Sequence, residues 1–140
     1  MLNGLPILNP IPALLMFSAL APFLLRVVLG FIIINSGKLK LQKESARWIN
    51  TMKVARVPNE MLAVQILGTV EVIAGIMLTI GFYTQFAALL IALISFVCLY
   101  AEYKEDTLVK RDISFYLLSL TIALSLLFTG AGAFSLDLPL

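Results

Sequence analysis

The sequence predicts an all-α integral membrane protein: a four-helix bundle with up-down-up-down topology and both termini on the non-cytoplasmic side. The chain of 140 residues is 61% hydrophobic with a mean hydropathy of +1.01, whereas soluble domains are about 45–50% apolar. Its apolar residues form four runs, each close to the ~20 residues that cross a bilayer. Nine of the ten lysines and arginines lie in two of the connecting segments. Such an excess of cations marks the cytoplasmic side.

The first predicted helix covers about residues 11–36. Arg26 lies within its apolar run, and Gly30, Ile33 and Gly37 follow at a spacing that places all four on one helix face. An ionisable side chain at membrane depth is costly, usually faces the protein interior and often marks a functional site. Arg26 is therefore a candidate site residue, and Gly30 is a candidate for the wall of a cavity beside it.

A basic segment follows the first helix. Within it Trp48, Ile49, Met52 and Ala55 recur at helical spacing among lysines and arginines. A cationic helix with one apolar face lies in the plane of the membrane surface. We therefore predict an amphipathic interfacial helix over about residues 44–56.

The second predicted membrane helix covers about residues 60–80. Val64, Gly68, Glu71 and Gly75 share one of its faces, with the same spacing as the stripe on helix 1. Glu71 places a carboxylate near the middle of the run, which makes it the second candidate site residue. Gly68 and Gly75 are further candidates for a cavity wall.

Two more helices are predicted over about residues 83–103 and 112–129. A tight uncharged turn precedes the first of them, and a short charged loop separates the two. The tail that follows reads GAGAFSLD, rich in glycine and then apolar. The chain length allows one domain, so residues 1–140 are predicted to form a single membrane domain.

Arg26 and Glu71 are predicted to form a buried pair. Counted from the predicted cytoplasmic helix ends, each lies about ten residues deep, or roughly 15 Å, near the bilayer midplane. Gly30 and Gly68 would let the two backbones approach closely. Two interpretations stay open. The pair fixes helix register, or it lines a polar cavity and relays protons, anchors an anionic or quinone head group, or borders a substrate path.

The residue inventory restricts cofactors and partners. The chain has one cysteine, Cys98, and no histidine. It therefore has no thiol pair and no histidine for haem or a typical zinc site, and neither metal, haem nor nucleotide is expected. The cations form no soluble basic stripe with interleaved aromatics, so no nucleic-acid partner is expected. The expected surroundings are the lipid bilayer, and a homo-oligomer is left open.

The order and spacing of several short motifs resemble the DoxX family of small proteins with four membrane helices. In this chain the matching residues are Arg26, Gly30, Gly37 and Lys38 in helix 1; Gly68, Glu71 and Gly75 in helix 2; Gly81, Phe82, Thr84, Ala87 and Ala88 around the turn; and Gly130, Gly132, Phe134, Ser135 and Asp137 in the tail. The tail departs from the family pattern at Ala131 and Ala133, where relatives often have proline and arginine.

The resemblance implies a membrane oxidoreductase component. Some members of the family are subunits of thiosulfate:quinone oxidoreductase, and others are associated with membrane redox complexes. By that resemblance the chain binds a quinone near Arg26 and Glu71 in the plasma membrane and receives electrons from partner subunits. Two alternatives stay open: a transporter of a small or lipidic substrate, and a structural or assembly subunit without chemistry.

Overall fold

The computed structural model describes residues 17–18, 20–104, 113–132 and 134–137. Within these residues lie five helices and no strand: α1 (Leu20–Leu41), α2 (Ser45–Val54), α3 (Glu60–Ile80), α4 (Thr84–Lys104) and α5 (Ile113–Thr129). The spans Leu20–Leu41, Glu60–Ile80 and Thr84–Tyr103 are long and apolar enough to cross a membrane, and α5 is a shorter apolar helix. The predicted start of helix 1 and the predicted loop at 104–111 lie largely outside the described residues.

The helices pack as two close pairs, α1 with α3 and α4 with α5. Because α1 and α3 are antiparallel, the described part of the molecule has two distinct ends. At one, termed the α2 end, α1 finishes, α2 packs and α3 begins. At the other, termed the tail end, α1 begins and residues 81–83 join α3 to α4. Residues 130–132 and 134–137 lie at this end, and Asp137 bonds to the turn.

Glycines allow α1 and α3 to approach at backbone distance. A Cβ placed on Gly37 would lie 2.6 Å from the carbonyl oxygen of Gly68, and one on Gly75 would lie 2.9 Å from that of Gly30. Both distances are shorter than van der Waals contact. The stripes of glycine on the two helices are thus the surfaces through which they interlock, as in other membrane helix pairs.

Adding a methyl group at Gly37 is expected to destabilise the protein by about 1–3 kcal/mol, since the two backbones must separate. Alanine also favours the helix by up to ~1 kcal/mol over glycine, which offsets part of the loss. Thermal unfolding of Gly37→Ala in mild detergent measures the effect. Val28→Ile adds one methyl group on the exposed face of the same helix and serves as the control. Equal melting temperatures for the two variants would contradict this account of the contact.

The predicted end of helix 1 was wrong, because α1 continues to Leu41. Gly37 followed by Lys38 resembles a helix stop, in which glycine follows the last turn and a cation lies nearby. Here Gly37 is instead a helix-packing residue, and Lys38 and Lys40 occupy the last turn of the extended helix. Cations are favourable there because the helix dipole is negative at its C-terminus.

The distribution of side chains is the reverse of that in a soluble protein. Large apolar side chains such as Phe31, Ile66 and Phe96 are more than half exposed, whereas Arg26 and Glu71 are buried. Aqueous proteins rarely expose apolar surface on this scale. An apolar exterior around buried charges is the arrangement expected in lipid.

Candidate functional site

The structure does not bring Arg26 and Glu71 together, so the prediction that they form a buried pair was wrong. Both side chains are buried, at 1% and 3% exposure. Glu71 Oε1 accepts a hydrogen bond from Lys40 Nζ, whereas the Arg26 guanidinium donates to the C-terminal tail. The two predicted partners therefore belong to separate buried polar sites: one formed by Lys40 and Glu71, the other by Arg26 and the described part of the tail.

Helix register and side-chain direction separate the two predicted partners. Arg26 lies level with Gly81, where an added Cβ would be 2.5 Å from its Nη1 atom. Glu71 lies ten residues earlier on α3, roughly 15 Å away at the rise of an α-helix. Side chains lean toward the N-terminus of their own helix. Arg26 therefore leans to the tail end and Glu71 to the α2 end, so the two side chains diverge.

The same rule brings Lys40 and Glu71 together. Lys40 lies near the C-terminus of α1, so its side chain leans back into the protein, and Glu71 leans toward it from α3. Lys40 is only 2% exposed. Its Nζ lies 4.2 Å from the centre of the Trp48 ring on α2, a cation–π contact. The helix at the α2 end thus closes over the ion pair.

One oxygen of the Glu71 carboxylate has no partner. Oε1 is engaged by Lys40, but Oε2 is buried without a hydrogen bond. Leaving a buried polar group unsatisfied costs about 1–3 kcal/mol, and more for a charged one. The arrangement can therefore hold a proton on Oε2, or accept a hydrogen bond from a polar group that enters the site.

Apolar and weakly polar side chains surround the α2 end of this site. Trp48, Val64, Cys98 and Tyr116 form one buried cluster. Cys98 lies on α4 and is 5% exposed, so this end of the site is shielded from water. Exclusion of water strengthens the attraction between the ammonium and the carboxylate and equally raises the penalty on an unpaired charge.

Arg26 holds the C-terminal tail against the tail end. Its Nη1 donates to the carbonyl of Ala131 at 2.7 Å, and Nη2 donates to that of Phe134 at 2.9 Å. The guanidinium also lies 5.4 Å from the centre of the Phe23 ring. The planar fork of arginine suits two acceptors at once, so this buried cation anchors backbone rather than a carboxylate.

Asp137 joins the tail to the start of α4. Its carboxylate accepts hydrogen bonds from the N–H groups of Tyr83 at 2.7 Å and Thr84 at 2.6 Å, and its own N–H donates to Gly81. Burial opposes ionisation of Asp137, but these hydrogen bonds and the nearby Arg26 charge outweigh it and hold the pKa of the carboxyl below its usual value. Asp137 therefore acts as an N-cap that is distant in sequence from α4.

Lys40, Trp48 and the capping role of Asp137 were not predicted from the residues. A signal for Lys40 was present, because it continues the stripe of Arg26 and Gly37 along the buried face of α1. A helix that ends at about residue 36, as predicted, excludes Lys40.

Three glycines were predicted as candidates for the wall of a cavity, but the structure places them in a helix contact. Gly30, Gly68 and Gly75 lie in the contact between α1 and α3, where an added Cβ would meet side chains and backbone of the opposite helix. They bring the two helices close together and do not form the wall of a cavity.

The apolar exterior, the long apolar helices and the buried charges define a helical integral membrane protein with an internal ion pair. The DoxX family model matches residues 21–103, and the chain belongs to the DoxX family. The resemblance of its motifs to that family is thereby confirmed. No curated protein sequence and no solved structure matches the chain.

Proposed function

We propose that this DoxX protein is a quinone-binding subunit of a membrane redox system, with Lys40 and Glu71 as its binding residues. In this proposal the chain crosses the plasma membrane four times, with α5 as the fourth crossing. The 17 residues of α5 are at the lower limit of about 17–25 for a membrane helix.

The charge distribution supports an orientation with the α2 end in the cytoplasm. Among the residues of this end whose exposure the structure describes, the exposed cations are Lys38, Lys43, Arg47, Lys53 and Arg56. In the described part of the tail end Arg26 is the one cation, and it is buried. By the positive-inside rule both termini then lie outside the cytoplasm.

The observation that carries the quinone proposal is the unpartnered Oε2 atom of Glu71 beside the Lys40 ammonium. A protonated Glu71 can donate a hydrogen bond to a quinone carbonyl, and Lys40 can donate a second. Their low exposure keeps bulk water from competing for these groups. Lipid-soluble ligands with polar head groups reach such a site from the bilayer.

The two residues have distinct roles in this proposal. Glu71 holds or passes a proton at Oε2, and Lys40 sets the charge of the site and orients Oε1. A bound quinone would supply the electron-accepting chemistry. Electrons come from a partner subunit, because the chain has one cysteine and no histidine. The family resemblance points to the same class of partner.

The test is mass spectrometry of the organic extract from protein purified in mild detergent. We expect quinone in near-stoichiometric amount with the wild-type protein. Glu71→Gln should retain at least tenfold less, because the neutral amide no longer pairs with Lys40 to hold its ammonium toward the quinone, and a charge-assisted hydrogen bond contributes about 1.5–3 kcal/mol. Glu60→Gln, at the start of the same helix, makes the same chemical change outside the site and should retain the wild-type amount.

A second variant separates binding from folding. Lys40→Met combined with Glu71→Leu removes both polar groups without leaving an unpaired charge, and it should fold but lack quinone. Wild-type protein without quinone, or equal quinone in all variants, would contradict the proposal. In that case labelling of cysteines introduced beside Glu71, in a Cys98→Ala background, tests transport. Alternating access of such positions from the two sides of the membrane would indicate a carrier.

A further inference from the structure

An apolar groove opens between α3 and α4, near the α2 end. Its volume is about 370 Å³, within the usual range for ligand clefts. Eight apolar residues line it: Met52 of α2, Ala63, Ile66, Leu67 and Val70 of α3, and Leu90, Leu93 and Ile94 of α4. With no polar side chain in its wall, the groove suits a hydrocarbon chain and offers nothing to orient a polar head group.

Two exposed cations follow in sequence the residue that α2 contributes to the groove. Met52 belongs to the last turn of α2, and Lys53 and Arg56 follow it within four residues, both exposed. Hydrogen bonds from the N–H of Arg56 to the carbonyl of Lys53, and from that of Val57 to Met52, fix this end of the helix. Glu60 is the nearest carboxylate in sequence, and residues 38–60 contain six cations against two carboxylates.

We infer that the groove binds one acyl chain of an anionic phospholipid, whose phosphate is held by Lys53 and Arg56. The apolar walls match the chain, and the cations match the head group. Arginine can bind phosphate through two parallel hydrogen bonds, and lysine adds a point charge. A cation near an anionic lipid surface increases binding by roughly fivefold. Two cations at the groove therefore favour an anionic lipid over a zwitterionic one.

The groove and the Lys40–Glu71 site are separate but share a wall. Met52, Leu67 and Ile94 face the groove and also pack against the cluster that contains Trp48 and Cys98. A chain bound in the groove would brace this cluster from the lipid side. The inference concerns a second ligand at a second site, and it does not depend on quinone binding.

Native mass spectrometry of the protein in mild detergent tests the inference. The probes are phosphatidylglycerol and phosphatidylcholine with identical acyl chains. We expect one phosphatidylglycerol molecule to bind at least tenfold more tightly than phosphatidylcholine. Lys53→Gln combined with Arg56→Gln should abolish the preference. Lys38→Gln combined with Lys43→Gln removes the same charge outside the groove and should preserve it.

A second pair of variants tests the groove itself. Leu93→Trp fills the groove from an exposed position of α4, and Leu89→Trp enlarges an exposed leucine of the same helix outside the lining. Only Leu93→Trp should weaken binding of both lipids. Equal binding of the two lipids by the wild type would overturn the inference. A Leu93→Trp variant that keeps the phosphatidylglycerol adduct but loses bound quinone or dimer formation would also overturn it. The groove would then hold a quinone tail or a second copy of the chain.

Discussion

Lys40→Met is expected to destabilise the protein by about 3–5 kcal/mol, because it leaves the Glu71 carboxylate buried without a counter-charge. Lys40 and Glu71 are both almost fully buried, and Oε2 of the carboxylate already lacks a partner. Among the residues that the structure describes, no other cation is hydrogen-bonded to Glu71, so none takes the place of Lys40. Thermal unfolding in mild detergent should show a melting temperature lower by on the order of 10 °C.

Adding Glu71→Leu to Lys40→Met should restore most of the lost stability. Replacement of a whole buried pair by apolar side chains is often neutral or stabilising, because neither group then needs to be desolvated. Recovery in the double variant would identify the unpaired charge, and not lost packing, as the cause of the single variant's instability. The same result would show that the double variant used in the quinone test is folded although its site lacks both polar groups.

Lys43→Met is the matched control. Lys43 lies three residues after Lys40 and is exposed, so its replacement should change stability by no more than ~0.5 kcal/mol. A Lys40→Met protein as stable as this control would contradict the buried ion pair. A double variant no more stable than Lys40→Met would show that the contact of the Lys40 ammonium with Trp48 contributes most of the lost stability.

Arg26→Met is expected to release the C-terminal tail and to lower stability by about 3 kcal/mol. The guanidinium makes two hydrogen bonds to tail carbonyls, and hydrogen bonds to charged groups contribute roughly 1.5–3 kcal/mol each. A nitroxide attached through Leu136→Cys, in a Cys98→Ala background, measures the release as increased mobility by electron paramagnetic resonance. Position 136 is exposed, so the label does not disturb the core.

Arg26→Lys tests the geometry of this contact. A lysine keeps the positive charge, but its single ammonium lacks the planar fork that serves two carbonyls. The label should be more mobile than in the wild type and less mobile than in Arg26→Met. Wild-type mobility in Arg26→Met would mean that Asp137 alone retains the tail.

The contact of Asp137 with α4 gives the tail a pH dependence. A carboxyl whose pKa is lowered on folding contributes stability above its unfolded pKa and loses that contribution as the pH falls through the folded value. Burial opposes ionisation of Asp137, but the hydrogen bonds from Thr84 and Tyr83 and the charge of Arg26 lower its pKa in the folded protein. The label at position 136 should therefore stay immobile from neutral pH to about pH 4 and gain mobility below it. Asp137→Ala should be mobile at neutral pH and lack this transition.

Much of the architecture follows from apolar run length. The second helix has the predicted bounds because its run begins at Glu60 and ends before Gly81, whose positive φ closes the helix. Burial of Arg26 and Glu71 also followed from sequence, since a charge in an apolar run is turned inward in lipid. Glycine spacing identified the contacting faces of α1 and α3. It placed Gly30 and Gly68 at one depth, whereas Gly30 lies against Gly75 and Gly68 against Gly37.

The identity of the charge partners could not be obtained from these patterns. The prediction ends helix 1 at about residue 36, whereas α1 ends at Leu41. Arg26 is therefore predicted too near the α2 end, and Lys40 is predicted to lie outside the helix. An error of five residues is about 7.5 Å along the axis, enough to exchange one partner for another. Each side chain also points toward the N-terminus of its own helix. Its charged end is therefore displaced along the axis by a distance that a count of residues does not include.

Hydropathy decides which segments avoid water, and it was therefore enough to predict helices embedded in lipid around buried charges. Tertiary structure alone decided that Glu71 pairs with Lys40, that Arg26 holds the tail and that Asp137 caps α4. These contacts join residues 31 to 108 positions apart. They depend on the register of packed helices and on atomic distances, which the periodicity of a single helix does not specify.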